Sequence, residues 1–108
     1  VNLLFVCSEN RLRSPTAEAV FSYYRGVNAL GAGINPAAAR TVSRDLIEWA
    51  DRVFVMETFH RELLLEKYPD LLNDRRLVCL NIPDRFAYMD PELVELLESG
   101  VSEYLRPD

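Results

Sequence analysis

Apolar residues along this chain fall into two alternating rhythms. The short runs Asn2-Leu3-Leu4-Phe5-Val6, Val27 to Ala32, Val53-Phe54-Val55-Met56 and Leu77-Val78-Cys79-Leu80 with Ile82 have the length and continuity of strands buried on both faces. Between them apolar residues recur at helical spacing. Ala17, Val20, Phe21 and Tyr24 predict an amphipathic helix from about 14 to 25, opened by Ser14 as cap and Pro15 at the first helical position and ended near Gly26. Gly31 to Pro36 reads as a loop, and Pro36 to Arg40 as loop or frayed turn. Ser43 caps a second helix through Ala50, with Leu46, Ile47 and Ala50 inward and Trp49 nearby. Thr58 caps a third carrying Phe59, Leu63, Leu64 and Tyr68, which Pro69 breaks. Asp90-Pro91 opens the last, with Leu93, Leu97, Val101 and Tyr104 on one face.

Strand and helix alternate four times, which predicts an α/β fold: a four-stranded parallel sheet with helices on both faces and right-handed crossovers. A ligand site is then expected beyond the carboxyl ends of the strands. The 108 residues, 49% apolar and 27% charged, make a single domain, 1–108, able to bury a core without staples. Val1 stands at the edge of the first strand, so a removed initiator or short trimmed segment is expected before it.

A net charge of −5 argues against non-specific binding to nucleic acid or anionic membranes, although Arg11, Arg13 and Arg85 are placed to make a local basic mouth. Two cysteines, Cys7 and Cys79, with no signal-like or membrane-length apolar run, predict a cytoplasmic protein with free thiols.

The chemistry concentrates between the first strand and the first helix. Cys7-Ser8-Glu9-Asn10-Arg11-Leu12-Arg13-Ser14 turns from one to the other, and in such a turn backbone N–H groups point inward as an anion-binding nest reinforced by the helix dipole. Cys7 lies at the floor of that nest, where oriented amides and a guanidinium favour thiolate over thiol. Arg13 can hold two oxygens of a phosphate with its planar fork, which a lysine cannot do. A phosphoryl group taken up by sulfur needs a proton delivered to the leaving oxygen. Asp84 follows the fourth strand directly, as Cys7 follows the first, so a parallel sheet brings both to one edge. Asp90 is the competing carboxylate, with a sufficient structural role as helix cap.

This segment resembles the phosphate loop of the low-molecular-weight protein tyrosine phosphatases, Cys-x-x-Asn-x-x-Arg-Ser followed by a helix beginning Ser-Pro-x-Ala-Glu, with Cys7, Asn10, Arg13, Ser14, Pro15, Ala17 and Glu18 matching. The resemblance implies a phosphatase on phosphotyrosine or a small phosphomonoester, needing neither metal nor cofactor. Cys7 would be the nucleophile and form a cysteinyl phosphate, Arg13 would hold the phosphoryl oxygens, and Asp84 would be the acid and then the base. It also implies that Ser14 steadies the thiolate, that Asn10 fixes the loop, and that Ser8, Glu9, Arg11 and Leu12 surround the substrate. Phe86 and Tyr88 would form an aromatic wall. The chain departs from the family where Arg85 replaces the proline of an Asp-Pro-aromatic segment, where Glu57 replaces an aspartate, and where Gly31 replaces a serine. Leu12 stands for a second cysteine, and the region after Gly33 is shorter. His60 closes a matched segment, Ala50-Asp51 to Met56-Glu57, and reads as structural or surface.

Three other readings remain open. The phosphate could belong to a nucleotide, an RNA end or a small metabolite, suggested by Arg11 and Arg85. An arsenate reductase of the same fold would need relay cysteines, and only Cys79, on a strand, is available. A phosphate-binding module would keep the nest without turnover.

Overall fold

A computed structural model describes residues 1–73 and 75–105. Its elements follow the order β1 (Asn2–Cys7), α1 (Arg13–Phe21), β2 (Asn28–Gly33), α2 (Arg44–Trp49), β3 (Arg52–Val55), α3 (Thr58–Lys67), β4 (Leu77–Cys79) and α4 (Pro91–Val101), with a short 3₁₀ turn at Ser102–Tyr104. The strands form one sheet in the order β2-β1-β3-β4, every neighbouring pair parallel. Leu3 pairs with Ala29 and Arg52, and Val55 with Cys79. The α/β sheet read from the sequence is the observed one.

Strand side chains alternate between the two faces. Leu3, Phe5 and Cys7 join Phe54, Phe21, Leu93, Leu97 and Val101 in the core under α1 and α4, whereas Leu4 and Val6 join Val53, Val55, Ile47 and Leu64 under α2 and α3. The rings of Phe21, Phe5 and Phe54 stack in succession at centroid distances of 5.3 Å. Both faces of β1 are covered, which is why its sequence is apolar without interruption. The connection from β1 runs to β2 on one side, and the chain then crosses to β3 on the other. A crevice opens at the carboxyl ends of such a divergent pair.

Several element ends differ from expectation, and the differences matter for the site. Helix α1 stops at Phe21 because Tyr23 and Tyr24 donate to carbonyls three residues back, Val20 and Phe21, and Ser22 Oγ bonds to the Glu18 carbonyl. Gly26, at φ 76°, ends the turn that follows. Ser14 is not the cap: α1 begins at Arg13, its N-cap position is Leu12, and no side chain caps it. Its first amides are therefore free of a side-chain acceptor. Glu57, rather than Thr58, caps α3, through a reciprocal pair in which the Glu57 carboxylate accepts from the His60 backbone and the His60 ring accepts from the Glu57 N–H. Phe59 and Leu63 on that helix are exposed, and Leu64 and His60 are buried. Strand β4 ends at Cys79, but Leu80 N donates to the Val55 carbonyl and Ile82 N to that of Met56. Asn81, at φ 56°, lies between them and turns Ile82 into the core.

Ser43 and Asp90 cap α2 and α4 as expected, the Ser43 side chain accepting from Leu46 N and that of Asp90 from Glu92 N. Among the described residues, no helix is long and apolar enough to cross a membrane.

Candidate active site

The carboxyl side of three strands supplies the site: Cys7 ends β1, Glu57 lies just after β3 as the cap of α3, and Asp84 lies in the segment beyond β4. Cys7 is the last residue of β1 and 3% exposed. The loop after it closes because Asn10 adopts a left-handed conformation, φ 55°, which asparagine tolerates better than most residues. Its backbone N–H then points back to Cys7 Sγ at 3.2 Å. Ser14 Oγ lies 3.0 Å from the same sulfur.

Ser14 has one hydrogen and several neighbours, so its bonding depends on the state of the sulfur. As a thiol, Cys7 donates to Ser14 Oγ, which donates to Asn10 Oδ1 at 2.7 Å. As a thiolate, the sulfur draws the Ser14 hydrogen to itself and keeps the Asn10 N–H as a second donor. Asn10 reaches this position because Gly31 on β2 leaves room: a Cβ there would stand 2.8 Å from Asn10 Oδ1 and 2.9 Å from the Ser14 carbonyl oxygen. The glycine that replaces a family serine thus makes way for the loop itself.

The Arg13 guanidinium is 2% exposed. Its Nη1 donates to Glu57 Oε2 at 2.9 Å and to the Ile82 carbonyl at 2.8 Å, and Nε stands 3.7 Å from Asp84 Oδ1. With Nη1 committed to the scaffold, Nε and Nη2 are the donors able to take a ligand's oxygens. Glu57 fixes this charge from just after β3, a task the sequence showed only as a departure from a family pattern.

A cavity of about 350 Å³ opens above the sulfur, lined by Cys7, Ser8, Glu9, Arg11, Leu12, Arg13, Asn35 and Asp84. Nucleophile candidate, guanidinium and carboxylate therefore share one space. Of the residues expected around a substrate, Ser8, Glu9, Arg11 and Leu12 line it, while the Asn10 and Ser14 side chains bond to each other behind the loop. Phe86 departs from expectation: it is 4% exposed and belongs to the core under α1 and α4, with the Arg85 guanidinium 4.8 Å above its ring. Burial of that ring leaves Tyr88, exposed, as the aromatic residue at the surface of the segment. Asp90 is not among the lining residues and is occupied as the cap of α4.

Sequence reasoning missed two contributors. Asn35 lines the cavity and donates its N–H to the Ser8 carbonyl at 2.8 Å. His60, fully buried, lies 2.9 Å from Ser8 Oγ through Nε2. Burial, then the positive charge of Arg13, pushes its pKa down to about 4 against the opposing pull of Glu57 and Asp84. The spacing of Glu57 and His60 was the one available signal, and it reads as a capping pair rather than a site.

Of the two further arginines expected at the mouth, Arg11 lines the cavity and stands 3.9 Å from Glu9, whereas Arg85 is not among the lining residues and pairs with Glu92 at 3.1 Å. Cys79 packs against the core on the α2 and α3 face of the sheet, opposite Cys7. A second groove, about 370 Å³ and lined by Ile34, Val42, Leu63, Leu64, Glu66, Lys67 and Tyr68, holds no thiol.

No protein-family model and no curated protein matches the chain. Solved structures do. The YwlE arginine phosphatase from Geobacillus stearothermophilus superposes with a TM-score of 0.77 at 22% identity, over 96% of this chain and 92% of that one. A low-molecular-weight protein tyrosine phosphatase from Bacillus subtilis gives 0.77 at 21%, over 98% and 100%. The tyrosine phosphatase Wzb from Escherichia coli K30, in complex with phosphate, gives 0.75 at 18%, over 95% and 94%. The chain has the fold of these proteins over 95% or more of its length.

Proposed function

We propose that this protein is a cysteine-dependent phosphomonoesterase that hydrolyses aryl phosphates such as phosphotyrosine. The observation that carries the reading is the convergence, in one cavity, of a sulfur held by two donors, a fixed guanidinium and a carboxylate.

The reaction follows from that arrangement. The Cys7 thiolate attacks phosphorus and forms an S–P bond as the P–O bond to the leaving group breaks. Loop amides and Arg13 stabilise the equatorial oxygens, and protonated Asp84 gives its proton to the departing oxygen. Ser14 and the Asn10 N–H release the sulfur lone pair as charge leaves it. Asp84, now a carboxylate, takes a proton from water, which attacks phosphorus, breaks the S–P bond and frees phosphate and thiolate. Glu57 keeps Arg13 in place through both steps.

Substituting Cys7→Ser is expected to abolish turnover of an aryl phosphate while the fold survives, and an active variant would refute the reading. Asp84→Asn should reduce kcat by about a hundredfold, within the range for a general acid. Asp90→Asn should leave it near wild type, and the reverse order would move the acid to Asp90. Trapping a phosphocysteine by rapid mixing separates turnover from simple phosphate binding. A panel of phosphotyrosine, phosphoarginine, nucleotide and sugar phosphates fixes the substrate class. Arg85 stands outside the cavity lining, which removes one of the two cations that suggested a polyanionic substrate, and the opposed faces of Cys7 and Cys79 disfavour a thiol relay.

A further inference from the structure

His60 has a second task besides capping α3, and hydrogen counting reveals it. Nδ1 accepts the Glu57 backbone N–H at 3.1 Å, so that nitrogen carries a lone pair. A neutral ring must then hold its hydrogen on Nε2. Nε2 is 2.9 Å from Ser8 Oγ, and with the tautomer fixed the ring donates to the hydroxyl. Ser8 Oγ is thereby made an acceptor, and its own hydrogen must go elsewhere. Among the described residues no hydrogen bond donated by Ser8 Oγ is found, and Ser8 lines the cavity beside Cys7 and Arg13. The Ser8 backbone is pinned as well, its carbonyl accepting from Asn35 N at 2.8 Å.

We infer that Ser8 is a phosphoryl-contacting residue whose hydroxyl hydrogen is aimed into the cavity by His60, making His60 a positioning residue for oxyanion binding. Only the tautomer selected by the Glu57 amide does this; the other would accept from Ser8 and turn its hydrogen away from the ligand. The depressed basicity of His60 keeps the ring neutral near pH 7, so the arrangement holds under ordinary conditions. Recognition by loop amides and Arg13 thus gains a neutral donor from the residue next to the sulfur. The inference rests on the phosphoryl reading of the cavity.

Binding of inorganic phosphate to the intact protein, followed by titration calorimetry, tests it without requiring turnover. Ser8→Ala should weaken phosphate by about tenfold, as for one lost hydrogen bond to an anion, and Ser8→Thr should recover most of that loss. His60→Leu should weaken it comparably, and the double variant Ser8→Ala/His60→Leu should be no worse than either single one, because both remove the same contact. An unchanged affinity in Ser8→Ala, or additive losses in the double variant, overturns the inference. Should His60→Leu fail to fold, nitrogen NMR of the wild-type ring decides the tautomer: hydrogen on Nε2 at pH 7 supports the inference, and hydrogen on Nδ1 overturns it. Phosphate binding that depends on Ser8 without aryl phosphate hydrolysis would defeat the catalytic reading and leave this contact standing. Hydrolysis with an indifferent Ser8 would do the opposite.

Discussion

At the scale of single residues, the site depends on close approach more than on residue type. Asn10, Ser14 and Gly31 illustrate it: a carboxamide and a carbonyl fill the space that a Gly31 side chain would need, at 2.8 and 2.9 Å from a Cβ. Both obstacles belong to the loop that holds Cys7 and cannot give way cheaply. Gly31→Ala is therefore expected to cost about 1–3 kcal/mol in urea unfolding, the usual penalty for overpacking, and to lower turnover of an aryl phosphate together with it. Stability preserved in that variant would show that the loop has room to shift. The Cys7, Arg13 and Ser14 pattern was legible in the sequence because backbone geometry ties it to a strand and a helix. The hydrogen-bond partners of Arg13 were not, since Glu57 and Ile82 lie 44 and 69 positions away.

At the scale of elements, one hydrogen bond ties the acid-bearing segment to α1, and a second, local to α1, orients the side chain that accepts it. Thr16, fully buried, donates its Oγ1 hydrogen to the Leu12 carbonyl at 2.7 Å and accepts Met89 N at 3.0 Å. Met89 itself stands at φ 61°, so the end of the segment is fixed on the first turn of the phosphate loop's helix. Thr16→Val keeps the volume but removes both bonds and leaves the Met89 N–H without its acceptor. A loss of about 1 kcal/mol in denaturant unfolding is expected, the net worth of a typical hydrogen bond, with Thr16→Ser losing less. The caps behave independently: Asp90→Ala should cost about 1 kcal/mol, whereas Asp90→Asn, itself a favoured cap, should cost little. Thermal unfolding of the pair checks this, and equal losses would mean that charge rather than capping matters at that position. The N-cap of α4 was readable from Asp90-Pro91, but that of α3 was misplaced by one residue. Thr58 is a common cap type, and only the reciprocal bond with His60 reveals that Glu57 takes the place.

At the scale of the whole molecule, the buried His60 links stability to pH. Its folded pKa of about 4 lies below the ordinary histidine value of 6.5, so between these values the unfolded chain binds more protons than the native one. Stability is then full above pH 6.5 and falls as pH drops toward 4. From pH 7 to pH 5 the contribution amounts to about 2 kcal/mol. Urea midpoints of wild type and His60→Gln at the two values test this: the variant should lack most of the slope, and equal slopes would mean that His60 is protonated in the native state.

The sequence by itself determined the alternation of strand and helix, the parallel sheet it forces and the turn in which Cys7 meets Arg13. These features follow from local periodicity and from chemistry within eight consecutive residues. Tertiary structure decided what surrounds that turn. It brought Glu57 and Asp84 to Arg13 from beyond the ends of other strands, put His60 behind Ser8, and turned Phe86 into the core. Pairing across a sheet joins residues by register and burial, and neither is encoded in the spacing of neighbours along the chain.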